Sequence, residues 1–175
     1  MADVSPERGP LLVLIGSPGA GKSSVGRRVA EQLGVTFADS DALIEAQAGM
    51  TVSDIFVNQG EAAFRDLEVA TIARALAEQT GVLSLGGGAV MREETRSLLE
   101  GRRVVWLRVS VNDAVHRVGM NTARPLLLGN VRGTLSAMLE QRNPVYEAVA
   151  TDVVDTAGRS LREVTEAVVG VVRGE

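Results

Sequence analysis

Apolar residues run along the chain in two rhythms: short unbroken runs, and longer stretches with an apolar position every third or fourth residue. Leu11-Leu12-Val13-Leu14-Ile15 is an unbroken run ending at a glycine, the pattern of a parallel strand buried on both faces. From Ser23 to Leu33 the spacing changes to Val25, Val29 and Leu33, which predicts a helix stopped by Gly34. A short second strand, Thr36-Phe37-Ala38, leads into Asp39-Ser40-Asp41. Thr51 to Asn58 reads as a brief helix, with Thr51 or Ser53 as cap. Gly60 to Gln79 reads as a longer one, its stripe running through Phe64, Leu67, Thr71 and Ala75. Val82 to Leu85 is a third strand ending in Gly86-Gly87-Gly88, and Arg103 to Val109 a fourth. Ser110 can cap a helix through His116. Met120 to Gly133 looks irregular, and the helix after it should break at Pro144. Asp152 to Val154 is a fifth strand, and Ser160 caps a last helix.

Strands alternating with helices imply α/β architecture: three layers, α/β/α, around a five-stranded parallel sheet. In such sheets ligands bind beyond the carboxyl ends of the strands. Residues 16–23, Asp39 with Asp41, and Gly86 to Gly88 all follow strands, so they should meet in one cleft. Phe37 and Trp106 are expected in the core, and His116 on the surface.

Composition narrows the picture. A chain of 175 residues suits one domain, and Met1 to Pro10 reads as a disordered lead before a domain spanning 11–175. Net charge is −4 with no basic run, which argues against nucleic-acid binding. No apolar run approaches membrane-spanning length. Without cysteine there is no disulfide or thiol chemistry. The expected compartment is the cytoplasm.

Lysine usage is more telling. Lys22 is the single lysine beside seventeen arginines, and it lies in Gly16-Ser17-Pro18-Gly19-Ala20-Gly21-Lys22-Ser23. That stretch fits G-x-x-x-x-G-K-S/T, the loop whose backbone amides cradle nucleotide phosphates. A chance match in such a chain is on the order of one in a few hundred. An ammonium is compact enough to bridge phosphate oxygens inside a tight loop, where a planar guanidinium needs more room. Ser23 should place its hydroxyl on Mg²⁺, and Asp39 is the best-placed acidic partner. If the strand stays extended, alternation puts Asp39 and Asp41 on one side; the bland alternative is that Asp41 caps a helix starting near Ala42.

Weaker signals each have a plain reading. Arg65 follows Glu61 by four and could be a solvated ion pair. The three glycines could be a tight turn, or could admit a ligand close to the backbone. Arg124-Pro125-Leu126-Leu127-Leu128-Gly129 suits a lid that brings an arginine to a transferring phosphate. Asp155-Thr156-Ala157-Gly158 imitates a GTPase switch, yet no guanine-reading N-K-x-D is possible with one lysine.

Taken in order, the phosphate loop, Asp39-Ser40-Asp41, Asp54-Ile55-Phe56, Gly60-Glu61-Ala62-Ala63-Phe64-Arg65, the glycine run, Arg124-Pro125-Leu126-Leu127 and Arg142-x-Pro144-x-Tyr146 resemble the shikimate kinase family. The resemblance covers roughly Leu11 to Val172. It implies a P-loop kinase fold of the nucleoside-monophosphate-kinase type, with a substrate-binding subdomain near 39–70 and a lid near 120–133. It also implies transfer of phosphate from ATP to the 3-hydroxyl of shikimate, in the chorismate route to aromatic amino acids, by a monomer. By the same resemblance Gly19, Ala20, Gly21, Lys22, Ser23 and Ser24 hold the phosphates, and Ser23 with Asp39 holds Mg²⁺. Asp41, Arg65, Gly87 and Arg142 contact shikimate, Arg124 reaches ATP, and Arg117 and Arg159 lie near the adenine. Lys22, Asp41 and Arg124 would carry the chemistry. Leu85 and Ser24 stand where many members have threonine. The residues alone leave two rivals: another small-molecule kinase, acting on gluconate or a nucleotide, and a non-catalytic ATP-binding regulator.

Overall fold

The computed structural model describes residues 9–119 and 131–175. Strands β1 (Leu12–Ile15), β2 (Phe37–Asp39), β3 (Val82–Ser84), β4 (Val104–Arg108) and β5 (Asp152–Asp155) form one parallel sheet in the order β2-β3-β1-β4-β5. Around it lie α1 (Lys22–Leu33), α2 (Ser40–Ala48), α3 (Val52–Gln59), α4 (Glu61–Glu78), α5 (Glu93–Leu98), α6 (Val111–Gly119), α7 (Val131–Val149) and α8 (Leu161–Arg173). The five-stranded parallel α/β plan is the one the hydrophobic pattern predicts.

The unbroken run in β1 is buried on both sides because it is the middle strand. Leu12 and Leu14 pack into a cluster with Val29 of α1 and Val168 of α8. Val13 and Ile15 face the opposite cluster, with Ile72 and Leu76 of α4 and Trp106 of β4. A third, small cluster joins Ile44, Ile55 and Phe64 across α2, α3 and α4. Trp106 is buried, and Phe37 is half-buried against the first cluster, as expected; His116 is exposed. After β1 the chain crosses to β2 on one side and later to β4 on the other. The loop following β1 therefore lies at the switch point, where parallel sheets form their clefts.

Several expectations need correcting. Helix α7 begins at Val131, so the irregular stretch does not extend to Gly133; Val131, Leu135 and Leu139 repeat every four residues and draw the helix back toward its start. Pro144 does not end that helix, which continues to Val149. A proline inside a helix removes one backbone hydrogen bond. Here Leu139 before it and Tyr146 after it are both buried, and their packing holds the helix through the defect. Helix α2 also starts at once after β2. Asp41 therefore sits in a helical first turn rather than on an extended end, and its side relative to Asp39 does not follow from strand alternation. The cap of α2 is Asp39, not Asp41: its Oδ1 accepts from the amides of Asp41 at 2.9 Å and Ala42 at 3.2 Å. Helix α5 and a 3-10 turn at Ala89–Met91 were not foreseen. Most of the expected lead at 1–10, and the expected lid arginine Arg124, lie outside the described residues.

Candidate active site

The phosphate loop closes on its own lysine. Lys22 Nζ donates to the carbonyls of Gly16 at 2.7 Å and Ser17 at 3.1 Å, folding the ammonium back over the loop. Gly21, with φ of 84°, turns the chain into α1 in a region that side chains avoid. No side chain caps α1 and no acidic residue occupies its first turn, so the first amides and the positive helix end face the loop's cavity. Such an end suits a phosphate.

Ser23, in that first turn, donates its hydroxyl to Asp39 Oδ2 at 3.0 Å. Asp39 thus caps α2 with one oxygen and meets α1 with the other. Two hard oxygen donors side by side fit Mg²⁺, which takes few protein ligands and leaves its remaining positions to phosphate and water. Among the described residues no three His, Cys, Asp or Glu side chains gather as a full metal cage.

On the other flank of the loop, Arg117 of α6 donates to Gly19 O at 2.7 Å. A cavity of about 360 Å³ opens there, lined by Gly21, Ser24, Arg117, Thr156, Arg159 and Val164 among others. Arg117 and Arg159, far apart in sequence, therefore meet at one cavity with the phosphate loop. Thr156 joins them from the GTPase-like tetrapeptide, whose Asp155 is engaged elsewhere, ion-paired to Arg108 at 2.9 Å.

The glycine run after β3 organises the opposite side of the loop. A Cβ on Gly86 would lie 2.9 Å from Asp41 Oδ1 and 3.1 Å from Glu68 Oε2. On Gly87 it would lie 2.8 Å from Pro18 of the phosphate loop and 3.2 Å from Arg142 Nη1, and on Gly88 2.5 Å from Arg65 Nη2. Any side chain at 87 or 88 would displace an arginine. The glycines thus seat Asp41, Arg142 and Arg65 on three successive residues, beside Pro18. Two hydroxyls hold the run: Ser40 Oγ accepts from Gly86 N–H at 3.0 Å, and the Tyr146 phenol donates to Gly87 O at 2.5 Å.

Arg65 does not behave as a solvated partner of Glu61, which lies 3.8 Å away and is exposed. Its short contact, 2.8 Å, is to Glu68, whose side chain is 1% exposed. Glu68 was missed by the sequence reading, although a signal was there. Position 68 falls four after Phe64 and four before Ile72, on the buried stripe of α4, and a carboxylate there demands a partner. Arg142, half-buried, has no carboxylate within ion-pair distance among the described residues.

Burial raises the pKa of Asp41, and repulsion from Asp39 and Glu45 adds to the rise, while Lys22 and Arg65 oppose it. Burial also raises Glu68, against the hydrogen bond and charge of Arg65. Tyr146 is raised by burial, with Arg142 pulling the other way. A carboxylate with weakened preference for ionisation, two guanidiniums and a phosphate cradle together form a site for joining a small hydroxy acid to a phosphoryl donor.

The sequence model of one family, described as Shikimate kinase, matches residues 18–173. The shikimate kinase of Thermobifida fusca is 57% identical over 157 residues, covering 90% of this chain and 91% of that protein. That of Salinispora tropica is 57% identical over 151 residues, covering 86% and 90%. Among solved structures, shikimate kinase from Acinetobacter baumannii in complex with shikimate superposes with a TM-score of 0.87 at 33% identity, covering 95% of this chain and 93% of that one. The phosphate loop, the arginines on the glycine run and these matches agree: the chain belongs to the shikimate kinase family.

Proposed function

We propose that this small-molecule kinase moves the γ-phosphoryl group of ATP to the 3-hydroxyl of shikimate, with its two substrates on opposite flanks of the loop at 16–23. The observation that carries the assignment is the seating of Asp41, Arg142 and Arg65 on Gly86, Gly87 and Gly88, beside the phosphate loop. Shikimate is a ring with one carboxylate and three hydroxyls. Arg142, which has no carboxylate partner of its own among the described residues, and Arg65 clamp the substrate carboxylate through charge-assisted hydrogen bonds. Gly87 contributes its backbone. Ionised Asp41 accepts a hydrogen bond from the attacking hydroxyl and aligns it with the γ-phosphorus. The hydroxyl oxygen bonds to phosphorus as the bond to the β–γ bridging oxygen breaks; ADP leaves, and the hydroxyl proton is released to solvent.

On the nucleotide side Gly19 to Ser24 cradle the phosphates, Lys22 neutralises developing charge, and Arg117 and Arg159 border the adenine. Ser23 and Asp39 would hold Mg²⁺, which when bound supplies further charge neutralisation at the β- and γ-phosphates. Arg124 takes the role of the arginine on the transferring phosphate by resemblance alone, within a lid near 120–133. Residues near 39–70 form the substrate-binding subdomain, a reading supported by the separate small core of Ile44, Ile55 and Phe64. One chain supplies both flanks of the cleft, which supports a monomer, and dependence on ATP supports a cytoplasmic setting. No helix among the described residues is long and apolar enough to cross a membrane.

A coupled assay of ADP release tests the reading, with shikimate, gluconate and nucleoside monophosphates offered in parallel. Turnover with shikimate and background rates with the others are expected. Comparable rates with gluconate or a nucleotide would overturn the assignment of Arg65 and Arg142 to the shikimate carboxylate.

A further inference from the structure

We infer that Tyr146 is a positioning residue for shikimate, acting through the Gly87 peptide, beside which Arg142 is seated; this rests on the assignment of those two residues to the substrate. Three consecutive glycines have more backbone freedom than any other tripeptide, yet a site that reads a substrate through a glycine backbone needs that peptide fixed. The Tyr146 phenol donates to Gly87 O, and Arg142 stands one turn earlier on the same helix. A Cβ at Gly87 would come within 3.2 Å of Arg142 Nη1, so the guanidinium occupies the space a side chain would need there. The Arg142 charge also acts on the phenol, opposing the rise in pKa that burial causes. The ring is 1% exposed and lies 5.8 Å from Trp106, tilted by 38°, which fixes where the hydroxyl can point.

One side chain therefore fixes the glycine peptide on which Arg142 is seated, and it does not line the cavity beside Arg117. A buried phenol must find an acceptor in any fold, so the bond alone does not separate a positioning role from simple satisfaction. The separation comes from which substrate is affected. Tyr146→Phe keeps the ring and its packing and frees the Gly87 carbonyl that orders the peptide beside Arg142.

The test measures Kd and KM for shikimate and for ATP, with the melting temperature, in wild type, Tyr146→Phe and Arg142→Ala. Tyr146→Phe is expected to weaken shikimate by about 5- to 30-fold, the lower part of the range for a lost hydrogen bond that strands a buried acceptor, with ATP affinity within about twofold of wild type. Arg142→Ala should weaken shikimate at least as much. A Tyr146→Phe enzyme with unchanged shikimate affinity, or with equal losses for both substrates, overturns the inference while Arg142→Ala still upholds the site. An Arg142→Ala enzyme with normal shikimate affinity overturns the site assignment and the inference with it.

Discussion

Ser23 and Asp39 are joined by a 3.0 Å hydrogen bond that ties the first turn of α1 to the end of β2. Asp39 is held on its other oxygen by the amides of Asp41 and Ala42, so its carboxylate cannot swing away without uncapping α2. On the function proposed above, the pair would be held ready for a cation shared with the nucleotide phosphates. Ser23→Ala should raise the Mg²⁺ concentration needed for half-maximal rate, while shikimate affinity stays near wild type. Asp39→Asn should do the same with little change in melting temperature, because the asparagine carbonyl caps a helix about as well as a carboxylate does. Magnesium titration of turnover at saturating ATP checks both. A normal Mg²⁺ requirement in Ser23→Ala would remove the hydroxyl from the metal's coordination.

Lys22→Arg keeps the charge and loses the geometry. The ammonium fits between its own loop carbonyls at 2.7 and 3.1 Å, a space set by the backbone from Gly16 to Gly21. A guanidinium is too wide to bridge phosphate oxygens from there. Turnover should fall by about 100- to 1000-fold, the usual loss when one preorganised group facing transition-state charge is removed, with the melting temperature little changed. Near-normal kcat would show that charge alone suffices.

Arg65 and Arg142 should differ in what their loss does to the fold. Removing Arg142 strands no carboxylate among the described residues. Removing Arg65 leaves Glu68 buried without its partner, a situation that destabilises proteins by about 3–5 kcal/mol. Since Arg65 is itself 18% exposed, the lower end of that range is expected. Arg65→Ala should thus weaken shikimate roughly 10- to 150-fold, as for a lost hydrogen bond to a charged group, and also unfold at lower denaturant. Adding Glu68→Gln should recover much of the stability and none of the affinity. If the double variant is no more stable than Arg65→Ala, the buried pair is not the cause of the loss.

Much of this site is legible in the sequence because its chemistry is backbone-bound. The phosphate loop announces itself by spacing, and strand ends gather Asp39, Asp41 and the glycines whatever the details. What escapes is side-chain partnership across elements. Glu68 looks like one more polar residue on a long helix until Arg65 and the glycine run close over it. Tyr146 looks like the end of a helix already broken by Pro144, because local propensity cannot register the burial that carries α7 past the proline. The relative placement of Asp39 and Asp41 escapes for a related reason. Strand alternation was applied where the chain had already turned into α2, and the cap that turns it is Asp39 itself.

Asp41 supplies the pH dependence. Burial and the neighbouring Asp39 hold its folded-state pKa above the ordinary 3.8, so the folded protein binds the proton more tightly than the unfolded chain does. Between the unfolded and the folded pKa the native state carries more protons, and stability falls as pH rises through that window; above it, the ionised carboxylate remains a standing penalty. Asp41→Asn removes that penalty and should raise the melting temperature at neutral pH, while below pH 3.8 the difference should vanish. The same substitution should abolish most turnover, since the amide cannot accept from the attacking hydroxyl in the same way. In the wild type the acid limb of kcat/KM, which reports the free enzyme, should lie above 3.8 for the same reason. A variant that is both inactive and less stable than wild type at neutral pH would mean that Lys22 and Arg65 outweigh burial at this carboxylate, and that Asp41 is a structural ion pair rather than a strained acceptor held ready for substrate.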